Sequence, residues 1–78
     1  MNTGLTIKSI RVKKFKTQKE IADKIGVVRQ TYNVYENNIL NCDLDTVLKI
    51  LEALECTKTE IKEFFFALEQ DILSYLKL

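Results

Sequence analysis

Apolar residues recur along most of the chain at the three- and four-residue spacing of amphipathic helices. A first helix is predicted from about Thr6 to Lys14, where Ile7 and Ile10 share one face. Because the sequence contains two glycines and no proline, the helix ends are predicted from capping residues and periodicity rather than from helix breakers. The pattern predicts an all-α fold class.

A capping box predicts that a second helix begins after Thr17. The Thr17 hydroxyl can accept a hydrogen bond from the backbone N–H of Glu20, whose carboxylate can accept one from the backbone N–H of Thr17. Gly26 can take the left-handed conformation that ends a helix at no steric cost. The residues at core spacing between these ends are Ile21, Ala22 and Ile25.

A third helix is predicted from about Val28 or Arg29 to Asn37, with Val27 filling the turn before it. Asn38 is expected to end this helix in the left-handed conformation, which Asn adopts more easily than most residues. The residues assigned to its core face are Tyr32 and either Tyr35 or Glu36. The second and third helices form a predicted helix-turn-helix over residues 17–37.

Two more helices are predicted after residue 42. Asp43 can cap a fourth helix, and Thr57 forms a second capping box with Glu60, which predicts a fifth helix over about residues 58–77. The stripe assigned to the core in the fourth helix is Leu44, Val47, Leu48, Leu51 and Leu54. The stripe in the fifth helix is Ile61, Phe64, Phe65, Leu68, Ile72 and Leu76.

The fifth helix also carries apolar residues outside its main stripe. Phe66 and Leu73 lie on another flank, so one core cannot bury both faces. Such leftover apolar surface usually marks a partner surface, and symmetric dimers are the commonest case. We therefore predict a homodimer formed through the C-terminal helix, with Phe66, Ile72, Leu73 and Leu76 at the interface.

The composition is that of an ordinary soluble globular protein, with 46% hydrophobic and 29% charged residues. A chain of 78 residues has room for one modest core, so residues 1–78 are interpreted as a single domain. The apolar runs are short, and the first residues, including Leu5 and Lys8, lack the pattern of an export signal. We expect a cytoplasmic, nucleoid-associated protein without a membrane partner.

The chain lacks most of the side chains that catalysis or metal binding requires. It has no His, and Cys42 and Cys56 alone cannot complete the four ligands of a structural zinc site. Without an export signal, these cysteines are expected to be reduced and half-buried. Neighbouring carboxylates such as Asp43 and Asp45 suit the first turns of helices. We expect no enzymatic activity, cofactor, metal or small-molecule ligand.

Charge is unevenly distributed although the net charge is only +1. Residues 1–35 carry eight basic and two acidic side chains, a net charge of +6, whereas residues 36–78 carry four basic and nine acidic side chains, a net charge of −5. A basic cluster alone is usually a solvated face. Here it coincides with the helix-turn-helix, which is typical of nucleic-acid binding.

The segment from Thr17 to Asn37, T-Q-K-E-I-A-D-K-I-G-V-V-R-Q-T-Y-N-V-Y-E-N, resembles the helix-turn-helix of Cro and phage-repressor regulators, the XRE family. Flanking positions extend the resemblance over about residues 7–65. It implies a five-helix lambda-repressor-like domain, with an extended C-terminal helix, that binds double-stranded DNA. Val28 and Asn38 depart from the pattern, since the family usually has a Ser or Thr cap at the first position and Gly at the second.

A helix held by a tight turn in this way can enter a major groove. The predicted base readers point away from the core at the start of the third helix: Arg29, Gln30, Asn33 and Val34. Gln30 and Asn33 can form paired hydrogen bonds with adenine, and Arg29 can bind guanine or a phosphate. Val34 can pack on a thymine methyl group.

Further residues are assigned to the DNA backbone or to structure. The predicted phosphate contacts are Gln18, Thr31, Lys13, Lys14, Lys16, Lys19 and Asn37. The resemblance implies the role of Gln18, and free backbone amides at a helix start also suit an anion. Asn38 and Asn41 are assigned equally to phosphate contact and to turn formation. The resemblance also implies a structural ion pair between Arg11 and Glu36.

Together these features predict a sequence-specific transcriptional repressor that binds a palindromic operator as a dimer. One alternative is the antitoxin of a toxin–antitoxin pair, with autoregulatory DNA binding and a C-terminal helix that binds a toxin. An antirepressor is another protein partner that such a helix could bind. The second alternative is a helical protein-interaction module without DNA binding, which Val28 and Val34 favour and the basic N-terminal half disfavours.

Overall fold

The computed structural model describes residues 6–78, which form five α-helices and one short 3-10 helix. The helices are α1 (Ile7–Lys13), α2 (Gln18–Ile25), α3 (Arg29–Asn37), α4 (Leu44–Ala53) and α5 (Lys58–Leu76), and the 3-10 helix is Ile39–Asn41. This confirms the all-α, five-helix, lambda-repressor-like fold. Leu5, used above in the expectation about export signals, lies outside the described residues.

Side-chain caps set the starts of most helices. Thr17 and Thr57 form the two predicted capping boxes, with the N–H of Thr17 donating to Glu20 Oε1 at 2.8 Å. Asp43 caps α4 by accepting from the N–H of Thr46 at 2.9 Å. A third box, between Thr6 and Ser9, begins α1 and was not predicted. Its Ser takes the place of the usual Glu or Gln, so the sequence signal is weaker.

The core is assembled from side chains of all five helices. Tyr32 of α3 lies at its centre with no exposed surface. The other buried apolar residues are Ile7, Ile10, Ile21, Ala22, Val47, Ile50, Leu51, Ala53, Leu54, Phe64 and Ala67. Burying one large aliphatic or aromatic side chain contributes about 1.5–3 kcal/mol relative to leaving it exposed. This shared core fixes α3 against the remainder of the domain.

The core face of α4 differs from the predicted stripe. Leu44 and Leu48 are 63% and 49% exposed, so their assignment to the core was wrong. Ile50 and Ala53 are buried in their place. The reason is the packing of α4 against α2, which turns the buried face of α4 toward Ile50 and Ala53 and leaves Leu44 and Leu48 on the solvent side.

Asn38 ends α3 at the predicted place but not in the predicted conformation. Its φ and ψ are −134° and 50°, which is outside the left-handed region. Its backbone N–H and its side-chain amide both donate to the carbonyl of Val34, at 2.9 and 3.2 Å. The chain then continues into the 3-10 helix, so no left-handed residue is needed at this helix end.

Three residues other than glycine have positive φ, among those described. Phe15, in the turn between α1 and α2, has a φ of 58° and is 94% exposed. Glu55 has a φ of 54° in the turn between α4 and α5, and Lys77 has a φ of 59° after α5. Sequence patterns do not predict the first two, since these positions lack the Gly or Asn that usually adopts this conformation.

Cys42 and Cys56 are free thiols of intermediate exposure, as expected. Burial raises the pKa of both thiols, and nearby carboxylates, of Asp43 and Glu60 respectively, act in the same direction. Both are therefore held in the protonated form, which is a poor nucleophile. Separately, none of the helices between residues 6 and 78 has the length and apolar character needed to cross a membrane.

Candidate nucleic-acid interface

The turn between α2 and α3 fixes the angle between the two helices. Gly26 has a φ of 81° and ends α2 in the left-handed conformation, as predicted. The N–H of Val27 then donates to the carbonyl of Ala22 at 3.0 Å, and the Val27 side chain packs against the core. Tyr32, in the first turn of α3, is fully buried. One side of α3 is therefore packed against the core.

The opposite side of α3 forms a surface that we call the recognition face, made of Arg29, Gln30, Asn33 and Val34. Arg29 and Gln30 are exposed, Val34 is 56% exposed and Asn33 is half-buried. The structure therefore brings the four predicted base readers together. Thr31 is half-buried and Asn37 is exposed at the end of the same helix. Together these side chains present hydrogen-bond donors, acceptors and one apolar group, which are the groups that bind base edges in a major groove.

A hydrogen-bond network lies at the edge of the recognition face, with Gln18 of α2 at its centre. The side-chain amide nitrogen of Gln18 donates to Asn33 Oδ1 at 2.9 Å and to Glu36 Oε1 at 3.1 Å. The amide oxygen of Gln18 accepts from Arg29 Nη1 at 3.1 Å. Two of the four predicted base readers are thus held by one side chain from the neighbouring helix.

Arg11 and Glu36 form an ion pair beneath this network. Arg11 Nε donates to Glu36 Oε2 at 2.8 Å, and Arg11 Nη1 donates to the Lys16 carbonyl at 2.9 Å. Burial by itself raises the pKa of the Glu36 carboxyl, but hydrogen bonds from Arg11 and Gln18 outweigh that effect and leave the pKa below its ordinary value. The hydrogen bond to Glu36 likewise raises the pKa of Arg11. The pair is therefore fully ionised near neutral pH.

The Tyr32 hydroxyl is buried beside the ion pair. Its oxygen has no hydrogen-bond partner within the usual distance limits among the described residues. Burial, followed by the nearby Glu36 carboxylate, raises the pKa of this phenol, so it stays protonated.

The lysines assigned to phosphate contact occupy different surroundings. Lys14 Nζ lies 3.0 Å from Glu60 Oε1 and also donates to the carbonyl of Glu55, while Lys13 Nζ is 3.9 Å from Glu60. The structure therefore engages Lys14 at the start of α5, whereas the Lys13 side chain is 67% exposed and only approaches the same carboxylate. Lys19 pairs with Asp23 on the solvent side of α2. Lys16 forms no ion pair with any residue in the described part of the chain.

Sequence reasoning missed two of these relationships. The hydrogen bonds from Gln18 to Asn33 and Glu36 cross between helices, and no spacing within either helix indicates them. The ion pair between Lys14 and Glu60 joins residues in the turn after α1 and the first turn of α5. The positive charge of the N-terminal half is thus partly neutralised by the first turn of α5.

The chemistry available on this surface is hydrogen bonding and apolar contact. Arg29 and Gln30 supply exposed donors, Gln30 supplies an acceptor, and Val34 supplies methyl groups. Within residues 6–78, no three His, Cys, Asp or Glu side chains lie close enough together to hold a metal ion.

Comparison with known proteins agrees with this geometry. The family described as Helix-turn-helix matches residues 7–61. Two curated proteins named Antitoxin HipB, from Escherichia coli O6:H1 strain CFT073 and from Escherichia coli strain K12, are each 42% identical over 53 residues, which is 68% of this chain. The chain spans 56% and 60% of their lengths, less than two thirds. No solved structure gives a significant match.

Proposed function

This chain belongs to the helix-turn-helix family of XRE-type regulators, and we propose that it binds double-stranded DNA by placing the recognition face of α3 in the major groove. The observation that carries the proposal is the surface formed by exposed Arg29, Gln30 and Val34 with half-buried Asn33, on a helix whose other side is buried through Tyr32. A recognition element of this kind must be rigid and outward-facing to read base edges.

Electrostatics supports the same surface. Arg29 and Lys16 carry positive charges that pair with no carboxylate of residues 6–78, and both lie at the edges of the helix-turn-helix. A lysine that neutralises one phosphate contributes about one unit to the slope of log affinity against log salt. Lys16→Ala should reduce that slope by about one unit. Lys62→Ala, an exposed lysine of α5, is the matched control and should leave the slope unchanged.

We further propose that the chain acts as a homodimer and represses transcription from a palindromic operator. Phe66, Ile72 and Leu76 of α5 are 63%, 41% and 54% exposed, and Leu73 is half-buried. These apolar side chains lie on the C-terminal helix, where Ile72 and Leu76 line a groove shared with Asn37 at the end of α3. A two-fold dimer formed there would present two copies of α3 to half-sites about one helical turn apart.

Selection from a library of random duplexes tests DNA binding and symmetry together. The proposal expects enrichment of an inverted repeat whose half-sites are about ten base pairs apart. Enrichment of single half-sites would overturn the dimer but not DNA binding. No enrichment at low salt would overturn both sequence-specific DNA binding and dimeric binding to a palindromic operator.

The dimer surface is tested with a charged substitution. Phe66→Glu should lower the dimer fraction measured by sedimentation equilibrium at micromolar concentration. Val12→Glu is the matched control, because Val12 is 55% exposed on α1 and lies outside the proposed interface. Equal effects of the two substitutions would overturn the proposed interface. A reporter gene under the selected operator then tests repression, which requires lower expression when the chain is present.

A second candidate function is that of an antitoxin, and the two relatives named Antitoxin HipB favour it. The exposed apolar residues of α5 would then contact a toxin as well as, or in place of, a second copy of the chain. The test is to express the product of the neighbouring gene with and without this chain. Relief of growth arrest that depends on Phe66 supports this function. A neighbouring product without toxicity overturns it.

A further inference from the structure

Phe15 closes α1 in a backbone conformation that a bulky side chain disfavours. The N–H of Phe15 donates to the carbonyl of Val12 at 3.0 Å, and the N–H of Lys16 donates to the carbonyl of Arg11 at 3.1 Å. This pair of hydrogen bonds ends a helix by placing one residue in the left-handed conformation, a position that usually holds Gly. Here that residue is Phe15, with a φ of 58°.

The Phe15 side chain gains almost nothing from the core in return. It is 94% exposed, so its ring packs on little of the domain. A single exposed apolar residue is common on protein surfaces, but this one also holds an unfavourable backbone conformation. Strained residues of this kind cluster at functional sites. Packing within residues 6–78 gives no reason for an aromatic ring at this turn, whereas a bound partner that covers the ring would.

The charge around the ring indicates what such a partner is. Residues 13–19, K-K-F-K-T-Q-K, contain four lysines and no acidic residue. The Lys13 side chain is 67% exposed, and Lys16 forms no ion pair with the described residues. The next acidic residue, Glu20, accepts from the N–H of Thr17 and caps α2. An apolar ring among positive charges fits a surface of phosphates and sugars, such as the backbone of DNA.

Hydrogen bonds place this turn next to the recognition face. Gln18 of α2 accepts from Arg29 Nη1, on that face, at 3.1 Å. Phe15 precedes Gln18 by three residues, which span at most about 11 Å. The backbone between them is held, because the carbonyl of Lys16 accepts from Arg11 Nη1 at 2.9 Å. A major groove is about 12 Å wide, so Phe15 is close enough to the recognition face to reach the backbone that borders the groove.

We propose that Phe15 packs on the deoxyribose of the DNA strand that borders the groove, while Lys16 binds a neighbouring phosphate. This inference rests on the proposed DNA-binding function. A sugar carries no base identity, so the contact adds affinity equally on every sequence. An apolar contact neutralises no phosphate, so it leaves the salt dependence of binding unchanged. The ring therefore has a different signature from the base readers and from the lysines.

Binding of selected and random duplexes across a salt series measures the contact. Phe15→Asn removes the ring and places a residue that tolerates the left-handed conformation. It should weaken binding to both duplexes by the same factor of about fivefold, the effect of burying roughly half of an aromatic side chain. The slope of log affinity against log salt should not change. Phe15→Tyr keeps the ring and should bind like the unmodified chain.

Leu48→Ala is the matched control, because it removes a 49% exposed apolar side chain from α4, outside the helix-turn-helix. Its affinity should equal that of the unmodified chain. Unchanged affinity in Phe15→Asn, or a loss confined to the selected duplex, would overturn the proposed contact. Urea unfolding of Phe15→Asn checks that the variant is folded under the binding conditions.

A tryptophan in place of the ring reports whether DNA covers it. The chain has no Trp, so the emission of Phe15→Trp comes from this position alone. Saturating duplex should shift the emission to shorter wavelength and should protect it from quenching by acrylamide. Leu48→Trp places the same reporter on α4, where duplex should change neither the emission nor the quenching.

The outcomes separate this inference from the proposed function. A labelled duplex bound by Phe15→Trp, with quenching as strong as in the free chain, would overturn the contact and leave DNA binding intact. No binding of any duplex by the unmodified chain at low salt would overturn both. An emission shift with vesicles of phosphatidylserine and phosphatidylcholine, and none with duplex, would assign the turn to an anionic membrane surface and overturn the contact with DNA.

Discussion

Arg11 and Glu36 are joined across 25 residues of sequence by two hydrogen bonds, from Nε to Oε2 at 2.8 Å and from Nη2 to Oε1 at 3.1 Å. The pair ties α1 to α3 below the recognition face. The same carboxylate accepts from Gln18, so it also holds the first residue of α2. One ion pair thus serves both the packing of three helices and the orientation of side chains that face solvent.

Removing one partner of this pair should be strongly destabilising. Arg11→Met keeps most of the side-chain volume but leaves the Glu36 carboxylate buried without its cation, and we expect a loss of about 3 kcal/mol in the free energy of unfolding. Urea unfolding at neutral pH measures the loss. The double variant Arg11→Met with Glu36→Met should recover part of it, because no unpaired charge remains. Additive losses would contradict this account.

The stability of the domain should fall in acid partly through Glu36. Its pKa is below the ordinary value of 4.5 in the folded state, so its contribution is present above that value and is lost as the pH falls through the folded pKa. Glu36→Gln should therefore flatten the dependence of unfolding free energy on pH below about pH 5. Some slope should remain, because the pKa values of Glu20, Asp43 and Glu60 are also lowered. An unchanged slope would refute the role of Glu36.

The start of α3 lacks a side-chain cap and should accept one. Val28 occupies the cap position with no side-chain hydrogen bond and is 65% exposed. Val28→Thr places a hydroxyl where it can accept from the N–H of Thr31, which should raise the free energy of unfolding by about 1 kcal/mol. Val34→Thr makes the same chemical change at an exposed position inside the helix and should give no such gain. Equal effects in thermal unfolding would argue against a capping mechanism.

Phe15 should be replaceable with a gain in stability. Its φ of 58° is unfavourable for a residue with a Cβ atom, and its 94% exposed ring contributes almost no burial. Phe15→Gly should therefore raise the free energy of unfolding by about 0.5–1 kcal/mol. Gly26→Ala is the opposite change at a φ of 81°, where no atom lies within 4 Å of the added Cβ, and should cost about 1 kcal/mol through the backbone alone. A loss of stability in Phe15→Gly would show that the ring makes contacts important for the fold.

Local chemistry made much of this fold predictable. The boxes at Thr17 and Thr57 and the left-handed Gly26 depend on residues within one helical turn of each other, and all three were predicted. The burial of Ile50 in place of Leu48 depends on how α4 meets α2, which periodicity cannot determine when both flanks of a helix are apolar.

The candidate site also combines features that local spacing predicts with features that depend on tertiary packing. The exposed face of α3 follows from helical spacing once Tyr32 is assigned to the core. The partner of Lys14 and the orientation of the Asn33 amide depend on side chains 46 and 15 residues away, Glu60 and Gln18. Such contacts are set by tertiary packing. The sequence therefore shows which basic residues lie near the motif, but it does not determine which of them face DNA.

The most direct test of DNA recognition by α3 is the affinity of the unmodified chain, Gln30→Ala and Gln70→Ala for a selected duplex, for its single-base variants and for random duplex. Gln30 lies on the recognition face, and Gln70 is an exposed residue of α5 that serves as the matched control. We expect the unmodified chain and Gln70→Ala to prefer the selected duplex over random sequence by about 10³-fold or more. Gln30→Ala should lose about 1–3 kcal/mol of discrimination at one base pair. Equal binding of selected and random duplexes by the unmodified chain, or unchanged discrimination in Gln30→Ala, would contradict the account.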